Sequence, residues 1–567
     1  MITTRNLIVK FFSRNKTLVL LTFVACITGS LLNVLLPLSI GKFYELLFQE
    51  GSTKGKLFDT LRISVDSIPS FFSFFLLLIG LKSLFTYCEK LFTGMVGERF
   101  SRNLRELLFQ TQLSHPLSVH ERKPVGKYLL RYSGDLTFIQ RFISKGVIQF
   151  SGDVVFLVTA FFVLYLINAP LTLMVLAGLL LAIIAIMLLN KSVKSATSKR
   201  RNQRSAMLGF VTTRLQAFST IKSFNREVPE VAQYNKLSGR MYELSIRYYR
   251  IYALVQAMLP LLFFGTLAVV LYFVAIQLQA GSGVIHHADV LNFILLLLYI
   301  QASIRRILSV NVVWQLGSVS FIKLLRIINL PTELRAEPAT MEQFNGKISF
   351  DHVSFQYPSA TVPILKKISF TIQPGTVTWL KGPQGAGKST VLKMIQGLYQ
   401  PDEGTISIDD IDYSRLAPNA IRKNVTIISN ETPLLGNTVF KAISYSRSAE
   451  KRDKAAQLLE RIGFSIAGNM NEALDFPLND FAGNISAGQR RQLMFARAIL
   501  TRKKIMLIDD AFDDLDQQAR AMLILELQKL RSKRTIIIAC NQLPAALSAD
   551  QIINLNELNA VLKLVAK

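Results

Sequence analysis

Residues 377–389 read V-T-W-L-K-G-P-Q-G-A-G-K-S, and this stretch decides how the second half of the chain folds. Its last eight residues match the pattern G-x-x-x-x-G-K-[ST]. Glycines let the backbone wrap around a phosphate group with its N–H groups pointing inward, and a following helix adds its positive end. Val391, Leu392 and Ile395 share one apolar face after the loop. The stretch therefore predicts a strand, a phosphate-binding loop and a helix.

A second apolar run, K-I-M-L-I at residues 504–508, ends in Asp509 and Asp510. The run predicts a buried strand with a carboxylate at its C-terminal end, where it can position a hydrated Mg²⁺ ion. In the phosphate loop, we expect Lys388 to neutralise phosphate oxygens and Ser389 to hold Mg²⁺. Together the two segments predict a nucleoside triphosphate site.

The first half of the chain contains six long apolar runs, each near the length of about 20 residues that crosses a bilayer. They predict six transmembrane helices at residues 18–40, 71–92, 147–167, 171–189, 252–276 and 290–312. Residues 1–16 carry four basic residues and no acid, and they predict an interfacial helix.

The formal charge of +27 comes from 65 Lys and Arg residues against 38 Asp and Glu residues. Much of the excess lies in two segments between apolar runs, 93–146 and 191–250, whereas residues 277–289 carry no Lys or Arg. Basic loops remain in the cytoplasm, so both termini and these two loops are predicted to be cytoplasmic. This distribution favours loops that face anionic lipid over nucleic-acid binding.

Residues 484–492 read N-I-S-A-G-Q-R-R-Q, and here the chain resembles an ABC exporter, whose signature is L-S-G-G-Q. Tyr357, in F-Q-Y-P, resembles the ring that stacks on adenine, and Gly126, Arg131, Asp135 and Ile139 echo the family's first inner loop. The resemblance implies a polytopic α-helical membrane domain (1–330) with long cytoplasmic extensions, a linker (331–345) and an α/β ATPase domain of the P-loop type (346–567). It also implies coupling helices near residues 115–123 and 216–222.

In this family two nucleotide domains enclose two ATP molecules, and each site combines the phosphate loop of one subunit with the signature of the other. The resemblance therefore implies a half-transporter that dimerises and uses ATP and Mg²⁺. The residues implied to bind nucleotide are Tyr357, Gly382, Pro383, Gln384, Gly385, Ala386, Gly387, Lys388, Ser389, Thr390, Ser486, Gly488 and Gln489. The residues implied to hold Mg²⁺ are Ser389, Asp509 and Asn430.

Three of the predicted catalytic positions depart from the family pattern. Asn430 replaces the glutamine of the glutamine loop, Asp510 replaces the catalytic glutamate, and Asn541 replaces the switch histidine. A general base must reach the attacking water, and Asp510 is one methylene shorter than glutamate. Asn541 cannot take a proton as histidine can. We expect the chain to bind ATP well and to hydrolyse it slowly.

These features predict ATP-driven export by one half of a dimeric transporter in an inner (plasma) membrane of bacterial type. The degenerate site favours a heterodimer with a second half-transporter. The alternatives are a slow homodimeric exporter of lipid, peptide or drug, and a nucleotide-gated channel or regulatory subunit. Charges lie within the apolar runs at Lys82, Asp153, Arg305 and Arg306. They are candidates for substrate contact, and the three cations favour an anionic or amphipathic substrate. The alternative is that the charges pair within the helix bundle or extend to the membrane surface.

Overall fold

The computed structural model describes residues 2–48, 67–121, 128, 131–279, 287–333, 344–358, 360–444, 449–466 and 469–559. Its contacts divide the chain into two compact units. The first comprises Met1–Leu113 and Pro124–Leu330, and the second comprises Ser114–Lys123 and Pro331–Lys567. The short segment 114–123 thus packs with the second unit although the sequence places it within the first 330 residues. The predicted domain limits 1–330, 331–345 and 346–567 stay a prediction.

The secondary structure described in the first unit is helical. Two short π-helical stretches, Arg131–Asp135 and Phe142–Gln149, flank one of its helices. Its helices are α1 (Thr4–Arg14), α2 (Lys16–Phe48), α3 (Ile68–Leu113), α5 (Leu136–Arg141), α6 (Phe150–Ile167), α7 (Ala169–Gln216), α8 (Phe218–Ser223), α9 (Glu227–Gln279) and α10 (His287–Ile328), while α4 (Leu117–Glu121) belongs to the second unit.

Five helical segments are long and apolar enough to cross a membrane: Lys16–Phe48, Ile68–Leu113, Arg131–Ile167, Glu227–Ile276 and His287–Ile328. The predicted fourth span lies in α7, whose apolar portion Ala169–Ala185 is shorter. Large apolar side chains such as Leu76, Leu180 and Leu261 are exposed on these helices, as expected for surfaces that face lipid. An integral membrane protein follows from this pattern, and the count of six spans stays a prediction.

Small residues allow close approach of the helices in the first unit. Ser30 Oγ of α2 donates hydrogen bonds to the carbonyl oxygens of Cys26 (2.7 Å) and Gly152 (3.0 Å), the latter in α6. A Cβ atom at Gly152 would lie 2.3 Å from Cys26 Sγ. The interhelical contact therefore requires glycine at this position.

A buried carboxylate joins the helices where the family-like motif of the first inner loop lies. Asp135 accepts hydrogen bonds from Arg131, from Arg201 Nη2 (2.9 Å) and from Ser320 Oγ (2.9 Å). Ile139 is fully buried one turn later. Gly126, the fourth residue of the motif, lies outside the described residues.

The second unit contains two sheets. An antiparallel sheet has the order β2-β1-β4-β5, and a parallel sheet has the order β6-β7-β8-β3-β9. The strands are β1 (Ile348–Phe355), β2 (Leu365–Ile372), β3 (Val377–Lys381), β4 (Glu403–Ile408), β5 (Ile411–Asp412), β6 (Val425–Ile428), β7 (Ile505–Asp509), β8 (Thr535–Ala539) and β9 (Gln551–Asn554).

Helices cover the parallel sheet, whose strands are apolar and buried as expected for this arrangement. They are α11 (Lys388–Ile395), α12 (Pro418–Asn424), α13 (Val439–Ser444), α14 (Ala449–Arg461), α15 (Met470–Asp475), α16 (Ala487–Leu500) and α17 (Gln517–Leu530). Because all five strands of this sheet run parallel, the residues after β3, β7 and β8 meet at one edge. The helical membrane unit and this α/β unit confirm the predicted fold class.

We predict that Gly152→Ala lowers the midpoint of thermal unfolding in detergent, because the added methyl group overpacks the contact with Cys26. Such overpacking costs about 1–3 kcal/mol. Gly80→Ala is the matched control, since nothing lies within 4 Å of a Cβ atom there. It should leave the midpoint unchanged or raise it through better helix propensity. Equal midpoints for the two variants would contradict the packing argument.

Candidate functional site

The phosphate loop connects β3 to α11 and depends on glycines at two backbone positions. Gly385 and Gly387 have φ angles of +84° and +94°, in the left-handed region that favours glycine. A Cβ atom at Gly387 would also lie 2.6 Å from Leu365 Cδ2. The buried face of α11, with Val391 and Ile395, anchors the helix against the sheet. The loop is therefore held between strand and helix, as predicted.

Lys388 begins α11 and is only 6% exposed. Its Nζ atom donates hydrogen bonds to the carbonyl oxygens of Gly382 (2.7 Å) and Pro383 (3.2 Å) and to Asn541 Oδ1 (2.8 Å). An ammonium group has three protons, so these partners satisfy it fully. The structure thus brings Asn541, two residues after β8, directly to the phosphate-loop lysine.

The predicted metal ligands Ser389 and Asp509 are in contact. Ser389 Oγ donates a hydrogen bond to Asp509 Oδ1 over 3.1 Å. Burial raises the pKa of the Asp509 carboxyl, and the negative charges of Asp510 and Glu431 add to this effect against the opposing Ser389 bond and Lys388 charge. A divalent cation would offset this crowding of negative charge, and hydroxyl and carboxylate oxygens are the ligands that Mg²⁺ prefers. The residues present therefore fit Mg²⁺.

The other two predicted catalytic residues are exposed. Asp510 has a φ angle of +43°, and its N–H donates to Ala539 O over 2.9 Å, so the backbone fixes its position at the end of β7. Asn430 follows β6, and no hydrogen bond joins its side chain to another described residue. The structure places Asp510 beside Asp509. In the segment after β6, it is Glu431, the neighbour of Asn430, whose charge acts on Asp509.

Tyr357 is attached to the phosphate-loop helix. Its hydroxyl group shares a hydrogen bond of 3.1 Å with Thr390 Oγ1. The ring packs edge-on against Phe355 and Tyr399, with centroid distances of 5.1 and 5.3 Å. Lys393 Nζ lies 6.0 Å from the ring centroid. The Thr390 hydroxyl group thus links the predicted stacking residue to α11.

The signature-like residues form the N-terminus of α16. Ser486 Oγ accepts a hydrogen bond from Gln489 N (3.1 Å), and Gln489 Oε1 accepts one from Ser486 N (3.0 Å). A Cβ atom at Gly488 would lie 3.1 Å from Asp514 O. Among the described residues, no hydrogen bond joins Ser486, Gly488 or Gln489 to the phosphate loop. Their exposed helix terminus suits an anion supplied from outside this loop.

Sequence reasoning missed a polar cluster next to Tyr357. Tyr399 donates its hydroxyl proton to Glu121 Oε2 in α4. Lys393 Nζ lies 2.8 Å from Glu431 Oε2 and 3.9 Å from Glu121 Oε1. Burial, reinforced by the Glu121 bond, raises the pKa of the Tyr399 hydroxyl. The available signal was that Glu121 is the only acid between residues 107 and 134.

Two further contacts hold the segment 114–123 within the second unit. His115 Nδ1 lies 3.0 Å from Pro331 O, and Glu333 N donates to Ser114 O over 2.8 Å. Arg422 binds both carboxylate oxygens of Glu333, at 2.9 and 2.6 Å. Helix α4 therefore lies where the sequence predicts the first coupling helix, and α8 covers most of the second predicted position.

Each half of the chain matches a known protein family. Residues 19–304 match the family described as ABC transporter transmembrane region, and residues 365–513 match the family described as ABC transporter. The ATP-dependent lipid A-core flippase of Pasteurella multocida (strain Pm70) is 23% identical over 488 residues, which is 84% of this chain and 82% of that protein. The flippase of the same name from Escherichia coli (strain K12) is 24% identical over 485 residues, or 84% and 82% of the two chains.

The transmembrane match alone spans half of the chain, and the second match covers the phosphate loop, Asp509 and Asp510. Both matches lie in one polypeptide, in the order of an exporter half-transporter. The chain therefore belongs to the ABC transporters, as an integral membrane protein that binds ATP and couples its hydrolysis to transport.

Proposed function

We propose that this chain forms half of a dimeric exporter that moves a lipid across the membrane. The observation that carries the proposal is similarity over 84% of the chain to proteins named lipid A-core flippases. This similarity supports the lipid-exporting homodimer, the alternative in the sequence-based prediction, better than the heterodimer. The charge distribution of the loops supports an orientation with both termini in the cytoplasm.

A cavity in the first unit supports an amphipathic, anionic cargo. It encloses about 560 Å³ and is lined by charged, aromatic and apolar side chains. Its cations are Arg141, Lys145, Arg305 and Arg306, and its wall also contains Tyr248, Tyr252, Leu308 and Val312. Basic groups recognise phosphate or carboxylate, while the apolar wall accommodates hydrocarbon. A lipid with a phosphate-bearing headgroup fits this combination.

The charges in this region divide into paired and unpaired groups. Arg306 binds Asp153 through Nη2–Oδ1 (2.5 Å) and Nε–Oδ1 (2.9 Å) contacts, so the carboxylate offsets its charge. Lys82 Nζ donates to Gly29 O over 3.0 Å. No hydrogen bond or ion pair joins the Arg305 side chain to another described residue. Asp153 and Arg306 thus follow the pairing alternative, and Arg305 remains available for an anion.

The nucleotide site supplies the energy for this transport. When bound, ATP with Mg²⁺ supplies a phosphoryl group that water can attack. The loop N–H groups and Lys388 would orient the phosphates, Ser389 and Asp509 would hold the metal, and Tyr357 would stack on the base. Asp510 accepts the proton of the attacking water, and its short side chain makes this step slow, because a misplacement of about 1 Å can cost on the order of 10²-fold in rate.

The contact of α4 with the nucleotide site supports coupling within the chain. Glu121 binds Tyr399, Tyr399 packs on Tyr357, and Lys393 lies between Glu121 and Glu431. A change in the nucleotide site is therefore transmitted to Glu121, in the segment 114–123, through the side chains of Tyr399 and Lys393. In the proposed dimer, Ser486 and Gly488 of the second subunit complete the site.

The transport proposal is tested by reconstituting the purified chain alone in phosphatidylcholine vesicles with a labelled phosphate-bearing lipid. We expect magnesium-ATP to move the label between leaflets. Arg305→Glu should reduce lipid-stimulated ATP hydrolysis about tenfold, because it replaces the available cation with an acid.

Arg204→Glu, an exposed position outside the cavity lining, is the matched control and should retain stimulation. Absence of lipid movement by the chain alone, with recovery on adding a second half-transporter, would establish the heterodimer instead. Absence of movement under both conditions would refute lipid export.

We predict that Asp510→Glu raises kcat for ATP hydrolysis about tenfold or more with little change in KM, because the longer side chain reaches the attacking water. Asp510→Asn should remove the remaining activity. Asp513→Glu, an exposed acid three residues later, is the control and should not change kcat. The role of Asp510 is wrong if Asp510→Asn hydrolyses ATP at the rate of the unmodified chain.

We predict that Tyr399→Phe lowers the ratio of lipid-stimulated to basal ATP hydrolysis at least fivefold and leaves KM for ATP within about twofold. The change removes the hydroxyl group that binds Glu121 but keeps the ring contact with Tyr357. Tyr413→Phe removes another buried tyrosine hydroxyl group, which donates to Ile395 O, and serves as the control for general loss of stability. An equal fall of the ratio in both variants would exclude a coupling role for Tyr399.

A further inference from the structure

A second concave basic region lies at the edge of the parallel sheet opposite the nucleotide site. The nucleotide site lies at the carboxyl ends of β3, β7 and β8, where the phosphate loop, Asp509 and Asn541 are found. The second region instead adjoins the amino ends of β7 and β8, together with the C-terminus of α16 and the helix α14. The sheet therefore separates it from the residues assigned to ATP.

The region is a cavity of about 820 Å³, within the size range of small-molecule sites. Glu450 is the only acid on its described wall, and it pairs with Lys454. The cationic residues of the wall are Lys451, Lys454, Arg461, Arg502, Lys503 and Arg534. Arg461 also pairs with Glu526, which lies outside the lining, so four cations of the wall have no carboxylate partner among the described residues.

Arg534 forms the most buried cationic part of the cavity, at 8% exposure. Its Nη1 and Nη2 atoms donate to Ala498 O (3.1 Å) and Ile499 O (2.8 Å) in the last turn of α16. These carbonyl groups satisfy its hydrogen bonds but carry only partial negative charge, and no described carboxylate forms an ion pair with it. Burial and the nearby charge of Arg502 lower the pKa of the Arg534 guanidinium.

Lys503 repeats this arrangement. Its Nζ atom donates to Arg422 O (2.6 Å) and Val425 O (3.0 Å), so its partners are also carbonyl groups. Burial, with a contribution from Arg497, lowers the pKa of its ammonium group. Both cations at the base of the cavity are therefore hydrogen-bonded without a compensating full negative charge.

Arg502 occupies a backbone position that glycine would adopt at lower cost. It follows α16 with a φ angle of +52°, which costs an L-residue about 1–2 kcal/mol. Its side chain and that of Lys451 are exposed at the cavity, and neither forms a hydrogen bond or ion pair with a described residue. A strained backbone that presents an unpaired cation is typical of a functional position.

We propose that this cavity binds a multivalent phosphate group, carried by a free anion or by a lipid headgroup. Several cations converge on one concave surface, as phosphate recognition requires, and the ligand would supply the negative charge that Arg534 and Lys503 lack. The site is separate from the ATP site and is filled independently of it.

The test uses the full chain in dodecyl maltoside with Lys388→Ala, which removes the phosphate-loop cation, and inorganic tripolyphosphate as the probe. Calorimetry at 0.1 M salt measures the Kd. We expect Arg502→Glu and Lys451→Glu, each added to this background, to raise the Kd at least tenfold. Arg415→Glu is the matched control, since Arg415 is exposed and lies outside the cavity lining, and it should change the Kd less than threefold.

Thermal unfolding checks that each variant is folded. A second set of titrations replaces tripolyphosphate with mixed micelles containing phosphatidic acid. Loss of binding in the two cavity variants supports the site, and the probe that shows this loss identifies the free anion or the lipid as the source. The proposed phosphate site is wrong if all variants have equal Kd values, if Arg415→Glu weakens binding as much as the two cavity variants do, or if neither probe binds.

Discussion

The nucleotide-binding unit depends on the hydrogen bonds that hold the nearly buried ammonium group of Lys388 in the phosphate loop. Lys388 places its ammonium group among two carbonyl oxygens of its own loop and the side-chain oxygen of Asn541. Burying a cation is costly unless every proton has a partner, so this arrangement fixes the loop and the end of β8 together. The loop, the predicted metal ligands and Asn541 therefore belong to one cluster of side chains.

The hydrogen bond between Lys388 and Asn541 also gives the asparagine at residue 541 a second interpretation. From the sequence, asparagine in place of histidine indicates a lost catalytic group. In the structure its amide oxygen accepts a hydrogen bond from Lys388, which a histidine nitrogen could do only in its neutral, correctly oriented form. Asn541 thus has a structural role in holding the lysine. Asn541 therefore binds the phosphate-loop lysine and, unlike histidine, cannot take a proton.

Local patterns predicted the parts of the fold that local physics determines. The glycines of the phosphate loop, the strand that ends in Asp509 and the long apolar helices all carry their signal within a few consecutive residues. Tyr399 and Glu121 could not be found in this way, because their contact joins positions 278 residues apart and depends on where α4 packs. The same reason explains why the segment 114–123 groups with the second unit, since chain order gives no information about such contacts.

The functional site shows the same division. The motifs predict that Ser389 and Asp509 share a metal site, and the structure places Ser389 Oγ 3.1 Å from Asp509 Oδ1. The family pattern predicts that Asn430 holds the metal, yet it is the neighbouring Glu431 that forms an ion pair with Lys393. A one-residue difference of this kind depends on the conformation of the turn after β6, which sequence alone does not specify.

The bond between Tyr357 and Thr390 has a consequence for which nucleotides the site distinguishes. Thr390 lies two residues after Lys388 on the same helix, so this bond links the predicted stacking ring to the helix that carries the predicted phosphate-binding amine. The distance between these two contacts is therefore set by the protein and not by the ligand. In the proposed site a nucleotide would span this length, so analogues with a lengthened or shortened sugar–phosphate connection would bind less well than analogues altered only on the purine.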